Sequence, residues 1–309
     1  MRTVFFGTPQ LAVGALRALA NTTHLVGVVC QPDRPAGRGL RLREPAVKVA
    51  AHELELPVHQ PVKVKTGNLD QWLRERDVDV AVVMAYGRIL PPPVLAAPRR
   101  GCINLHASIL PKYRGAAPIN WAIVRGESET GVSLMQMDEG CDTGPVYAIR
   151  RLPIGPELCA GELGDQIADL AAEMVREDLP RALAGELVAK PQRSEEATLA
   201  PLIRPEHLIV DFSASAGEIV NLIRGMSPNP SARTTLRGKR LKLLAARVAP
   251  VGDTLSPGEV VVGPGRTLLI GAGRGALQLL RGQLEGRRAL DAGDLLNGRV
   301  LVAGDRLGG

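Results

Sequence analysis

One stretch decides the fold, the apolar run VDVAVVMA at Val78–Ala85. Its valine-rich, nearly continuous character is typical of a strand that is buried on both faces of a parallel sheet. Three similar runs lie elsewhere in the first half of the chain, at Thr3–Phe6, His24–Cys30 and Cys102–His106. Helical spacing at Pro9–Ala20 separates the first two of them. This alternation predicts an α/β fold with a Rossmann-like, parallel-sheet N-terminal domain.

The second half of the chain follows a different pattern. A long helix is predicted over Glu162–Leu187, and a polar, proline-containing stretch with little periodicity follows it. Beyond that stretch, short strand-like runs alternate with glycine and proline about every ten residues, which is typical of a small barrel or sandwich. We therefore predict an N-terminal domain over 1–189, a linker over 190–206, and a smaller, OB-like C-terminal β-barrel domain over 207–309.

All of the excess positive charge lies in the last third of the chain. The 309 residues hold 38 Lys and Arg against 32 Asp and Glu, a net charge of +6. Residues 1–206 hold 24 of each sign, while residues 207–309 hold 14 basic and 8 acidic residues. A basic module beside a neutral one indicates a polyanionic partner, with nucleic acid the first candidate. The alternative is a basic surface that serves only solubility.

The composition excludes several classes of protein. No run approaches the roughly 18 apolar residues of a membrane span, and the N-terminal apolar run is too short for a signal peptide. The four cysteines, at 30, 102, 141 and 159, are widely spaced and include no CxxC pair. This spacing disfavours both a disulfide scaffold and a structural zinc site. We therefore expect a cytoplasmic protein with no metal and no membrane partner.

The first candidate catalytic residues lie at the end of one predicted strand. Asn104 and His106 are two residues apart at the end of Cys102–His106, so both side chains lie on one face. Ligands of open α/β sheets collect at the carboxyl ends of the strands. By itself the Asn-x-His pair is a weak signal, because a histidine in a purely structural role is about as common.

Two loops strengthen that signal. The segment SILPKYRGAAP at Ser108–Pro118 is bounded by prolines and rich in backbone donors. A second loop, MDEGCDTG at Met137–Gly144, brings carboxylates and glycines together after another apolar run. The second loop could also be a surface turn or a calcium-like site, but the D-x-D-x-D-G pattern of a calcium loop is absent.

Together these motifs resemble the folate-dependent formyltransferase family. The resemblance rests on Asn104, His106, Ser108–Pro111, Arg114-Gly115 and Asp142–Gly144. A fuller match indicates the members that formylate methionyl-tRNA. It is carried by FGTP at Phe6–Pro9, QPDRPAGRG at Gln31–Gly39, AYG at Ala85–Gly87 and RGAAP at Arg114–Pro118.

The resemblance implies a reaction and three catalytic residues. Members move a formyl group from 10-formyltetrahydrofolate to the α-amino group of methionine on initiator tRNA. The amine is the nucleophile, so no Ser or Cys nucleophile is needed. Asn104 and a protonated His106 would stabilise the oxyanion, and Asp142 would orient His106 and help to accept the amine proton.

The resemblance and the charge pattern also imply binding residues. The expected folate contacts are Ser108, Ile109, Leu110, Pro111, Tyr86 and Gly87. The expected tRNA contacts are Arg34 and Arg38 in the arginine-rich loop, and Lys239, Arg240 and Lys242 on a predicted hairpin. We expect a monomer. Two alternatives stay open: a related folate enzyme that acts on a small acceptor, and a non-catalytic RNA-binding protein on an α/β scaffold.

Overall fold

The computed structural model describes residues 1–36, 41–250 and 255–308. Arg38, an expected tRNA contact, lies outside the described residues. The chain divides into two compact units, and it passes between them more than once. The first unit comprises Met1–Pro118, Thr130–Pro153 and Gly164–Pro201; the second comprises Ile119–Glu129, Ile154–Leu163 and Leu202–Gly309. The predicted boundaries at 189 and 206 stay a prediction.

A mixed, mostly parallel sheet forms the centre of the first unit. Its strands and those of two small sheets are β1 (Arg2–Gly7), β2 (His24–Val29), β3 (Arg34–Ala36), β4 (Arg41–Arg43), β5 (Val58–His59), β6 (Val80–Met84), β7 (Cys102–His106), β8 (Arg114–Gly115), β9 (Glu129–Gln136), β10 (Val146–Pro153) and β11 (Leu199–Ala200). The order in the main sheet is β10-β9-β7-β6-β1-β2-β5. Neighbours from β5 to β7 run parallel, and β9 runs antiparallel to β7.

Every residue of β6 is buried, as its continuous apolar run predicts. The helices and 3-10 turns of this part of the chain are α1 (Val13–Thr22), α2 (Ala46–Glu53), α3 (Leu69–Glu75), α4 (Pro92–Leu95), α5 (Pro118–Val124), α6 (Ala160–Leu183), Gln10–Ala12 and Ser194–Glu196. Helix α6 ends four residues before the predicted end at Leu187. Gly185, with a φ of +81°, lies just past its last turn, where a glycine commonly ends a helix.

The second unit is built around a six-stranded sheet. Its strands and helices are β12 (Ala232–Leu236), β13 (Lys239–Val248), β14 (Val260–Gly263), β15 (Thr267–Gly271), β16 (Ala276–Leu284), β17 (Leu290–Asp291), α7 (Ala216–Met226), α8 (Ala292–Asn297) and the 3-10 turns Pro205–Leu208 and Pro264–Arg266. The strand order is β12-β13-β16-β15-β14, with β17 as the sixth strand beside β16, and each neighbouring pair is antiparallel. Helix α7 starts at Ala216 because Ser215 and Glu218 form a capping box there.

The two edges of this sheet are joined by the segment 304–308. Leu307 bridges to Leu236 next to one edge, and Arg306 bridges to Glu259 next to the other. The backbone N–H groups of Leu307 and Gly308 donate to Gly258 and Thr235. This pairing closes the sheet into a barrel. The predicted architecture, a Rossmann-like domain with a smaller C-terminal barrel, is confirmed.

Segments from earlier in the chain complete the second unit. The Asn120 amide of α5 donates to the Gly225 carbonyl at 2.7 Å. Val124 packs against the apolar core of the barrel. The Arg224 guanidinium donates to the carbonyls of Gly155 and Leu158. The sequence pattern gives no sign that α5 packs with residues a hundred positions later.

Candidate active site

Strand β7 positions the first two candidate catalytic residues. Asn104 and His106 are two residues apart and lie on the same face of the strand. Both are buried, with 8% and 6% of their surface exposed. Strand β6 runs parallel beside β7, with Val83 opposite Asn104. The carboxyl ends of β6 and β7 therefore lie side by side, which is where open α/β sheets place their ligands.

Both ring nitrogens of His106 face oxygen acceptors. Nε2 lies 2.9 Å from the Tyr113 carbonyl oxygen, and Nδ1 lies 3.6 Å from Asp142 Oδ1. A carbonyl oxygen only accepts, so Nε2 carries a proton. Nδ1 faces the Asp142 carboxylate on the opposite side of the ring. The charged state expected for His106 stays a prediction.

Asn104 and His106 direct their donors to one point. Asn104 Nδ2 lies 3.5 Å from Asp142 Oδ1, the same oxygen that faces His106 Nδ1. Both nitrogens therefore face the Asp142 carboxylate, and both of their residues are buried. The structure thus brings the three predicted catalytic residues together.

Asp142 lies in a loop that is held from several sides. Its backbone φ is +55°, in the left-handed region that residues other than glycine rarely adopt. Its Oδ2 accepts a 2.9 Å hydrogen bond from the Gly115 backbone N–H. Gly144 is required at the end of the loop, because a Cβ there would lie 2.0 Å from the Gln136 carbonyl oxygen. Within the loop, Asp138 Oδ1 accepts from the Thr143 hydroxyl at 2.7 Å.

Gln192 contacts this loop and was not predicted as a site residue. Its Nε2 donates to the carbonyls of Asp142 and Gly144 at 2.8 and 2.7 Å. Its Oε1 accepts from Arg114 Nε and Nη2 at 3.1 and 2.8 Å. Arg114 is part of the RGAAP motif, whereas Gln192 lies in the aperiodic stretch interpreted as a linker, where no sequence signal marks it.

The predicted folate segment Ser108–Pro111 is fixed against strand β9. The Ser133 hydroxyl donates to the Ser108 carbonyl at 2.7 Å and accepts from the Leu110 backbone N–H at 3.1 Å. The Ser108 hydroxyl donates to the Lys112 carbonyl. Ser108 and Leu110 are therefore buried and satisfied within the protein. Ile109 and Pro111, which are half-buried, present the accessible faces of this segment.

Tyr86 and Gly87 lie just past the carboxyl end of β6. The Gln31 side-chain amide donates to both of their carbonyls, at 3.0 and 3.1 Å, and the Thr8 hydroxyl donates to the Tyr86 carbonyl at 3.0 Å. Gly87 has a φ of +80°, and a Cβ there would lie 2.6 Å from Gln31 Nε2. The Tyr86 hydroxyl is buried with no hydrogen-bond partner among residues 1–36, 41–250 and 255–308. Burial raises the pKa of Tyr86 to about 12.

The cysteines are poorly suited to nucleophilic catalysis. Burial raises the pKa of the Cys30 and Cys102 thiols to about 12. Burial also raises the pKa of Cys141 and Cys159, and the carboxylate of Asp142 raises that of Cys141 further. The thiolate is the reactive form, so these environments keep the thiols unreactive near neutral pH.

The residues that were expected to contact tRNA, and that the structure describes, differ in their surroundings. Arg34, in the β3–β4 hairpin, donates to Gln31 Oε1 at 2.7 Å. In the barrel unit, Arg240 pairs with Glu285 at 3.1 Å. Lys239 and Lys242 have no acidic partner within the part of the chain that the structure describes. Arg233, which was not predicted, lies directly opposite Lys242 across β12 and β13.

The described residues contain neither a cluster of metal-binding side chains nor a helix suited to a membrane. Between residues 1 and 308, leaving aside 37–40 and 251–254, no cluster of three or more His, Cys, Asp or Glu could hold a metal ion. Over the same residues, no helix combines the length and the apolar character that crossing a membrane requires.

Family models and relatives that together cover nearly the whole chain all indicate formyl transferases. The family model described as "Formyl transferase" matches residues 1–179, and "Formyl transferase, C-terminal domain" matches 202–300. A methionyl-tRNA formyltransferase from Sorangium cellulosum is 57% identical over 300 residues, covering 96% of each chain. The corresponding protein of Geobacter sulfurreducens is 43% identical, covering 100% of this chain and 97% of its own.

A solved structure shows the same fold. It is an N-formyltransferase from Helicobacter canadensis in complex with folinic acid and dTDP-3-aminofucose, with a TM-score of 0.68 at 17% identity, covering 90% of this chain and 98% of that one. The family predicted from the motifs is confirmed. With both family models matched and such close relatives along its length, the chain belongs to the formyl transferase family, among the methionyl-tRNA formyltransferases.

Proposed function

We propose that the protein transfers the formyl group of 10-formyltetrahydrofolate to the α-amino group of methionine on initiator methionyl-tRNA. The observation that carries this proposal is the convergence of Asn104, His106 and Asp142 at the carboxyl end of the sheet. The names of the full-length relatives supply the acceptor. We further propose that it acts in the cytoplasm as a monomer.

The arrangement supports direct attack by the amine. When the amine nitrogen bonds to the formyl carbon, the carbonyl electron pair moves to oxygen, and Asn104 Nδ2 and His106 Nδ1 can donate to that oxyanion. Asp142 Oδ1, at 3.6 Å from Nδ1, helps to orient the imidazole ring. The same carboxylate can help to accept the proton lost by the amine, directly or through water. Collapse then breaks the bond to folate N10, which takes up a proton, and tetrahydrofolate leaves.

The residues beside this site fit a folate. Folates are flat and rich in amide-like donors and acceptors, and they suit a narrow pocket with backbone polar groups. The bare backbone at Gly87 and the accessible faces of Ile109 and Pro111 provide such surroundings. Folinic acid bound to the Helicobacter canadensis protein supports the same class of donor.

One assay tests the proposal against its alternatives. Purified protein is given 10-formyltetrahydrofolate with charged initiator tRNA, charged elongator tRNA or an amino sugar nucleotide, and formylated product is measured. Formylation of initiator methionyl-tRNA above all other acceptors is expected. Hydrolysis of the folate without acceptor, or preference for the small acceptor, would favour a related folate enzyme; no turnover at all would favour an RNA-binding protein.

The arginine-rich loop gives a first prediction. We expect Arg38→Ala to raise the KM for initiator tRNA about 10- to 100-fold, because a charged hydrogen bond contributes about 1.5–3 kcal/mol. The affinity for the folate donor should not change. Arg17→Ala, an exposed change on α1, is the matched control. An equal loss of folate affinity in Arg38→Ala would show that the loop does not act on the tRNA alone.

The barrel lysines give a second prediction. Replacing Lys239 and Lys242 by glutamine should weaken tRNA binding and flatten its salt dependence, by about 0.9 in log–log slope for each phosphate that is no longer neutralised. Arg281→Gln, at an exposed site paired with Asp291, is the control. Binding is measured across a salt series by filter retention or anisotropy. An unchanged slope in the double variant would mean that these charges only solvate the surface.

A further inference from the structure

The segment 190–201, which was interpreted as part of a linker, also contacts the candidate active site. We propose that Gln192 is a positioning residue for formyl transfer, which holds the loop of Asp142 in its catalytic conformation. This inference rests on the proposed function. It differs from the motif-based assignment because no sequence pattern marks this position.

The Gln192 amide is fully engaged with the catalytic region. Both of its N–H groups are used, one for the Asp142 carbonyl at 2.8 Å and one for the Gly144 carbonyl at 2.7 Å. Its oxygen receives two hydrogen bonds from Arg114. Of the protein side chains, only a glutamine or asparagine amide can donate two hydrogen bonds from one atom while a second atom accepts from a guanidinium.

Arg114, which donates to the oxygen of this amide, is itself buried. Arg114 is 8% exposed, and within residues 1–36, 41–250 and 255–308 the hydrogen bonds of its guanidinium go to Gln192 and to no carboxylate. The next residue, Gly115, donates its backbone N–H to Asp142 Oδ2 at 2.9 Å. Arg114-Gly115 and Gln192 thus hold Asp142 at both its carboxylate and its carbonyl.

Strand pairing anchors the two segments to each other. Arg114-Gly115 runs parallel to Leu199-Ala200, and the backbone N–H of Ala116 donates to the Ala200 carbonyl at 2.9 Å. Gly115 must be glycine at this approach, because its φ is +122° and a Cβ would lie 2.7 Å from the Ala200 carbonyl oxygen. The segment that follows Gln192 is therefore paired directly with Arg114-Gly115.

Asp142 needs such support because its backbone is strained. A φ of +55° is disfavoured for an aspartate and persists only where the surroundings enforce it. If Gln192 is lost, the loop can relax and move the carboxylate away from His106 Nδ1 and Asn104 Nδ2. A displacement of about 1 Å in such a constellation can cost about 100-fold in rate.

The test uses two variants of the full-length enzyme. Gln192→Met removes every hydrogen bond at similar length. Gln192→Glu keeps an acceptor for Arg114 but has no N–H for the Asp142 and Gly144 carbonyls. We expect both to lower kcat about 10- to 100-fold, while the KM for the folate donor is unchanged. The matched control is Gln71→Met on the exposed face of α3, which should leave kcat as in the wild type.

A double-mutant cycle separates positioning from a general structural role. In an Asp142→Asn background, Gln192→Met should cause no further loss of kcat, because the residue through which it acts is already disabled. An additive loss would overturn the proposal, and so would full activity in Gln192→Met or restored activity in Gln192→Glu. If Gln192→Met fails to fold, Gln192→Glu carries the same cycle. Failure of the wild type to formylate initiator methionyl-tRNA would instead refute the proposed function.

Discussion

Replacing either oxyanion donor should lower the rate of formyl transfer by about 10²–10³-fold, the usual cost of losing one such group. We expect this for Asn104→Ala and for His106→Ala, with folate affinity nearly retained. The reason is that both donors converge on one point in a buried site, so neither can be replaced by water of equal orientation. Single-turnover transfer to initiator methionyl-tRNA, with enzyme in excess, measures the chemical step directly.

Two exposed residues provide matched controls for these variants. His52→Ala on α2 and Asn297→Ala on α8 make the same chemical changes away from the site and should transfer at the wild-type rate. Unfolding midpoints establish that all four variants are folded. Wild-type turnover in a folded His106→Ala or Asn104→Ala enzyme would refute the catalytic assignment.

Asp142→Asn should be at least as damaging, with a loss of about 10³-fold in kcat. The change preserves shape but removes the charge that faces His106 Nδ1, and it can place an N–H where an acceptor is needed. In a related hydrogen-bonded arrangement, the serine protease triad, the same substitution costs about 10⁴-fold. The KM for folate should change little, since the Tyr86-Gly87 carbonyls are held by Gln31 and Thr8.

Asp165→Asn, an exposed change on α6, is the control for Asp142→Asn. Parallel measurement of kcat and of the KM for each substrate shows which step fails. A rise in the folate KM with unchanged kcat would mean that Asp142 binds the donor and does not act on His106.

The fold was predictable because it depends on local patterns. The Val80–Met84 part of the valine-rich run is buried in the middle of the sheet, as a continuous apolar strand must be. Strand Cys102–His106 has the bounds that its sequence predicts. The helix predicted over Glu162–Leu187 runs from Ala160 to Leu183, an error of the size expected when caps and glycines decide the ends.

The candidate site was predictable only where its residues lie in motifs. Asn104, His106 and Asp142 were found because two short motifs carry them, although 38 residues separate the first from the last. Gln192 and the Tyr113 carbonyl were missed. A single glutamine in a polar stretch has the pattern of an exposed residue. A backbone carbonyl is common to every residue type, so the sequence cannot mark it. The hydrogen-bond partners of such groups depend on long-range packing, and the hydrophobic periodicity of the sequence carries no information about that packing.

The passage of the chain between its two units has a consequence for synthesis on the ribosome. Helix α5 emerges early, yet its Val124 packs against a core that includes Leu301 and Leu307. At about 5–20 residues per second, the remaining 180 or so residues take roughly 10–40 s to appear. During that interval the apolar side of α5 has no final neighbour, so the nascent chain offers a binding segment to chaperones well before the barrel can close.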